Sequence, residues 1–155
     1  MSWTNPNAPN LTDYTTFVQD SMGISTTYLP SNSPWLGYAF NQGMARTVFI
    51  PCVTPIEYVL AVYNCAGHLQ IEITPDQTGQ NYFQTLRGNG AGGFGLVSPI
   101  SGVVSASSDE GTSQTLAVPQ ALQNLTIADL QFTKTPWGRS WLAYGQDFGS
   151  AWGVT

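Results

Sequence analysis

The chain has 155 residues, 42% of them hydrophobic and only 8% charged, with a net charge of −5. That length suits one domain with a real core, and the apolar share excludes an intrinsically disordered chain. No apolar run approaches the ~18 residues of a membrane-spanning helix, and Arg46, Arg87, Lys134 and Arg139 are too few and too scattered for a nucleic-acid grip.

Residues 1–10 are rich in Asn and Pro and read as an extended N-terminal arm. The sequence there has no basic region followed by an apolar stretch, so no export signal is expected, and Cys52 and Cys65 are expected as reduced, buried thiols. A first helix follows, capped by Asn10 or Thr12, with Tyr14, Phe17, Val18 and Met22 on one face and Gly23 as its stop. Ser33-Pro34 starts a second helix with the stripe Trp35, Leu36, Ala39, Phe40, Met44 and Val48. It ends before Pro51, because the residue preceding a proline is pushed out of helical geometry.

The central element is a helix over about 54–73. Thr54 is a good N-cap, Pro55 falls at the first helical position, and Glu57 can complete a capping box. Ile56, Val59, Leu60, Tyr63 and Ala66 form one apolar row, with Val62, Cys65, Ala66 and Leu69 beside it. A helix apolar over so much of its girth is normally buried. Ala61, Cys65, Ala66 and Gly67 are small enough to admit a close neighbour. Gln80 to Arg87 reads as a short helix with Tyr82, Phe83 and Leu86 inward.

From Gly88 the composition changes. G-N-G-A-G-G-F-G lacks both the phosphate-loop and the dinucleotide fingerprint and reads as a flexible linker. Leu96 to Val118 is strand-like around a polar tip at Asp109-Glu110-Gly111, which predicts an extended hairpin or arm over about 96–118. Being polar on both faces, it would find cover on another chain. Pro119 to Asn124 reads as a helical turn, and Thr126 to Asp129 as a second capping pattern. Thr135-Pro136 opens a last helix over about 136–148 with Trp137, Trp141, Tyr144 and Phe148 on one face. Residues 149–155 form a tail. The fold class expected is mainly α: a single-domain helical bundle around the central helix, with the inserted arm and the C-terminal helix.

No catalytic, cofactor or metal site is expected. A structural zinc needs four ligands, and the chain has one histidine and two cysteines. His68 reads as a structural histidine. An enzyme using it with Asp76 or Asp109 would need a concave pocket around it. Asp109-Glu110 reads as a solvated turn, since a glycine-flanked loop tip is a poor scaffold for paired catalytic carboxylates.

Taken in order, the motifs resemble the head–tail connector, or adaptor, proteins of tailed bacteriophages. Three helices come first, the third carrying Ala61-Val62-Tyr63-Asn64-Cys65-Ala66-Gly67-His68-Leu69. A Gly-rich linker follows, then Val97-Ser98-Pro99-Ile100-Ser101-Gly102-Val103-Val104-Ser105-Ala106-Ser107. The last helix begins Thr135-Pro136-Trp137-Gly138-Arg139-Ser140-Trp141-Leu142. The stretch from Ser108 to Thr133 is longer than the commoner pattern and holds an added helical turn or two. The resemblance implies a helical subunit of a homo-oligomeric ring, typically of twelve copies, beneath the portal protein. Such a ring extends the DNA channel and docks the tail or a second neck protein. DNA would pass through without specific binding, no membrane is involved, and the site is the virion neck, reached from the host cytoplasm during assembly. Carried onto this sequence, Trp152, Gly153, Val154 and Thr155 are the candidate portal contact. The candidate inter-subunit arm runs from Ser98 to Thr115, with Val103, Val104, Ser105, Asp109, Glu110, Gly111 and Thr112 at its centre. The alternative expectation is a phage tail terminator or tail completion protein, usually a mixed sheet-and-helix fold.

Overall fold

A computed structural model describes residues 4–48, 53–98, 106–109, 112–115 and 127–148, and it is mainly helical. Its elements are α1 (Leu11–Thr16, continued by a π-helical turn, Phe17–Ser21), α2 (Pro34–Arg46), α3 (Pro55–Ile73), α4 (Tyr82–Arg87), β1 (Ala106–Asp109), β2 (Thr112–Thr115), α5 (Ile127–Phe132) and α6 (Pro136–Phe148).

α3 is the pillar. The Thr54 hydroxyl accepts the Glu57 N–H at 3.4 Å, and the Glu57 carboxylate accepts the Thr54 N–H at 3.0 Å. The capping box therefore satisfies two orphan donors. Every residue from Ala61 to Ile71 is buried. Ile56, expected in the apolar row, is exposed, because it sits in the first turn, at the outer end of the helix.

α2 crosses α3 at Gly43. A Cβ at that position would lie 2.8 Å from the Ala66 Cβ and 2.9 Å from the Val62 carbonyl oxygen, so only glycine allows this approach. The inward face is Leu36, Ala39, Phe40 and Gly43. Trp35, Met44 and Val48 were expected in the stripe but are exposed, Trp35 and Met44 on the flanks and Val48 past the helix end. Ser33 precedes the helix in extended geometry, and its side chain makes no cap bond.

The Asn10 side chain caps α1 by accepting the Asp13 N–H at 2.9 Å. Tyr14, Phe17 and Val18 are buried, and Gly23 turns the chain at φ +69°. The described part of the N-terminal segment is not a free extended arm. The Asp13 carboxylate accepts the Thr4 and Asn5 N–H groups, both at 2.8 Å, and folds the chain back onto α1.

α3 and α4 share a reciprocal clamp. Arg87 donates to the carbonyls of Ile71 (3.0 Å) and Thr74 (2.6 Å), at the C-terminal end of α3. Asp76 accepts from the Phe83 and Gln84 N–H groups at 2.7 and 2.8 Å, the orphan donors of α4.

The glycine-rich stretch is a docked loop rather than a flexible linker. Phe94 N–H returns to the Leu86 carbonyl at 2.7 Å and Val97 N–H to that of Arg87 at 3.2 Å. Gly92 and Gly95 supply the positive φ angles that the turns require. The Lys134 ammonium ties the loop down, donating to the carbonyls of Gly95 and Ser98 at 2.8 Å each. Leu96 to Ser98 are therefore turn, and an arm beginning at 96 is not supported. Farther on, β1 and β2 pair antiparallel over four residues, Ala106 opposite Thr115 and Asp109 opposite Thr112. Between and around them, positions 99–105, 110–111 and 116–126 lie outside the described residues, as does the expected turn at 119–124.

Two hydrophobic clusters flank α3. The larger gathers Tyr14, Phe17, Leu36, Phe40, Val62, Tyr63 and Phe83 among others. The smaller holds Val53, Ala61, Cys65, Leu69, Phe132, Trp141 and Leu142, and it docks α5 and α6 onto the body.

Candidate functional site

The chemistry-bearing side chains of the body converge where α5–α6 meets α2 and α3. Helical spacing puts Cys65, His68, Leu69 and Glu72 along one side of α3. The end of α2 brings Arg46 and Thr47, and the α5–α6 turn brings Phe132 and Thr135.

Thr135 is the joint. Its hydroxyl accepts the Gly138 N–H at 3.0 Å, capping α6. It also lies 2.8 Å from His68 Nδ1. The hydroxyl has one proton and a second lone pair, so it can pair with Nδ1 as donor or as acceptor. The His68 ring is fully buried and stacks on Phe132 at 4.2 Å between centroids. Among the described residues Nε2 has no hydrogen-bond partner, and Glu72 Oε2 lies 3.9 Å away.

Electrostatics keeps this group neutral. Burial, helped by the Arg46 charge, pushes the His68 pKa down to about 4. The approach of Glu72 is therefore not an ion pair at neutral pH. Burial pushes the Cys65 thiol up to about 12, against the weaker pull of Arg46 and a Thr47 hydrogen bond. A thiol held that high supplies no thiolate nucleophile. Arg46 lies over the Phe132 ring, 5.7 Å from its centroid, and Trp141 Nε1 donates to the Thr47 hydroxyl at 3.0 Å. The cluster can pin elements together; it offers no reacting group an open face. A concavity of about 240 Å³ is lined by Tyr38, Gln42, Arg46, Leu69, Glu72 and Ile73, and His68 is not among its lining residues.

Asp76, the acid paired with His68 in the enzyme reading, is instead committed to the α4 N-terminus, with Arg87 3.8 Å away. Among the described residues no group of three or more His, Cys, Asp or Glu side chains could hold a metal, and no helix is long and apolar enough to cross a membrane.

A second kind of site is on the outside. Leu11, Trp35, Tyr38, Met44, Val48, Ile56 and Val97 are large apolar side chains exposed to solvent, with Tyr38 and Val48 each 52% exposed. Trp35 and Tyr38 form an edge-on pair with ring centroids 6.2 Å apart. Beside Trp35, a groove of about 360 Å³ runs past Tyr28, Pro30, Pro34, Pro75 and Gln77. Helical spacing puts Trp35 in the apolar stripe, so the pattern alone does not reveal this exposed pair. The signal available was Trp35 and Tyr38 lying three apart, off the Leu36–Phe40 row.

Of the expected inter-subunit residues, Asp109 and Thr112 face each other at the tip of the β1–β2 ladder. Val103, Val104, Ser105, Glu110 and Gly111 lie outside the described residues, as do the expected portal contacts Trp152, Gly153, Val154 and Thr155 and the thiol Cys52. No protein-family model, curated protein or solved structure matches the chain.

Proposed function

We propose that this chain is a structural component of a tailed-phage neck, a head–tail connector that assembles as a ring under the portal protein and carries no catalytic role. The observation that supports it most is the outer surface. Among the described residues, seven large apolar side chains stand exposed, on a chain with only 8% charged residues. Such a surface is stabilised when neighbours cover it. The motif order of the sequence supplies the identity of those neighbours: sibling copies, the portal, and a tail or second neck protein. The net charge of −5 suits a channel wall past which DNA moves without being held. The mainly helical body suits a connector better than the mixed sheet-and-helix fold of tail terminators.

The test is co-expression with the portal protein of the same phage, followed by electron microscopy of the purified particles. A ring of this chain on one face of the portal is the expected result. A chain that stays monomeric at high concentration and never co-purifies with the portal contradicts the reading.

A further inference from the structure

The α5–α6 unit is held to the body by Phe132, Trp141 and Leu142 packed on α3, by the Trp141 and Lys134 hydrogen bonds, and by the His68–Thr135 contact, the one of these that can change charge. The His68 ring is fully buried. Two of the groups packed on it, the Phe132 ring at 4.2 Å and the Thr135 hydroxyl at 2.8 Å, belong to α5–α6 or the turn between them.

We propose that residues 127–148 form a detachable unit latched to α3 through His68, which is released when the imidazole takes up a second proton. With both ring nitrogens protonated, Nδ1 can only donate, so the Thr135 hydroxyl would accept from it as well as from the Gly138 N–H. The charge itself would be buried, at a cost relieved only by opening. The groups facing the ring are few. From α2 comes Arg46, whose charge opposes protonation. From α3 come Glu72, 3.9 Å from Nε2 and favouring the charged form, and the neutral Cys65 thiol. From α5–α6 come only Phe132 and Thr135, because Lys134 is held by the Gly95 and Ser98 carbonyls and Arg139 by that of Thr133. Glu72 is half-exposed and 3.9 Å away, too far to hydrogen-bond to the new charge, so it offsets the desolvation only in part. The larger cluster has no comparable group in this range. Its flanking Asp13 is pushed up by burial but held down to about 2 by hydrogen bonds from Asn5, Thr4 and Asn10.

Hydrogen exchange of the full chain, read by mass spectrometry from pH 7.5 to 4.5 and corrected for intrinsic rates, tests this. Opening of 127–148 should rise by roughly two orders of magnitude as pH falls from 6.5 to 4.5, while 55–73 keeps its protection. His68→Gln keeps a hydrogen-bonding side chain that cannot be protonated, and should flatten the response. His68→Phe, which keeps the stack on Phe132, should flatten it too and serves if the first variant folds poorly. A pH response that persists in either folded variant, or loss of protection in both regions together, overturns the proposal.

Discussion

In the larger cluster, whose buried rings come from α1 to α4 and against which Trp137 of α6 also packs, aromatic rings lock against one another: Tyr14, Phe40 and Tyr63 lie pairwise 5.7 to 6.4 Å apart, with Phe17 5.7 Å from Tyr63. Its polar thread, from the Tyr14 hydroxyl to Gln70 at 3.1 Å and on to Thr74 at 2.6 Å, is neutral and closed. The cluster under α5–α6 is smaller and is pinned at its edge by single polar contacts, His68 to Thr135 and Trp141 to Thr47. The first is the core of a body. The second is an interface between that body and a C-terminal unit, with a titratable ring left incompletely bonded inside it. The lesson is that the two can fail separately, and stability can be lost locally before it is lost globally.

The largest expected effect comes from the body. Phe83→Ala removes a fully buried ring from the larger cluster and should cost about 3–5 kcal/mol in chemical denaturation. If it loosened only residues 127–148, the division would be wrong. Acidification is next. The folded pKa of His68, about 4, lies below its ordinary 6.5, so its contribution is fully present above pH 6.5 and disappears as pH falls toward 4. The loss reaches roughly 3 kcal/mol and should show as selective exposure of the C-terminal unit to protease. Gly43→Ala forces a Cβ against Ala66 and should destabilise the body by about 1–3 kcal/mol, seen as a lower Tm. Trp141→Phe removes the bond to Thr47 at the second interface and should cost about 1 kcal/mol, sharpening the comparison if hydrogen exchange accelerates only in 127–148.

Local patterns carried the helices. The Thr54–Glu57 capping box, the cap-then-proline starts and the Tyr14–Phe17–Val18 face are written in residues three or four apart, and they stand where the spacing puts them. What sequence did not reveal depends on partners far along the chain. The Asp76–Arg87 clamp and the Lys134 tie that fixes the glycine loop have no periodic signature. His68 was legible as structural, but its partner Thr135 is 67 positions away. Trp35 and Met44 looked like core because hydrophobicity marks apolar residues without saying whether a neighbour of the same chain covers them. Gly43, which decides how closely α2 and α3 approach, contributes nothing to an apolar pattern. The proposed neck role rests on motif order and surface character.

That proposal is tested most directly by cryo-electron microscopy of the neck of the phage to which the proposed function assigns this chain. The account predicts a ring of copies directly beneath the portal, with Trp35 and Tyr38 of each copy covered by an adjoining subunit. A neck whose density holds no copy of this chain, or a ring in which those side chains all face solvent, would contradict it.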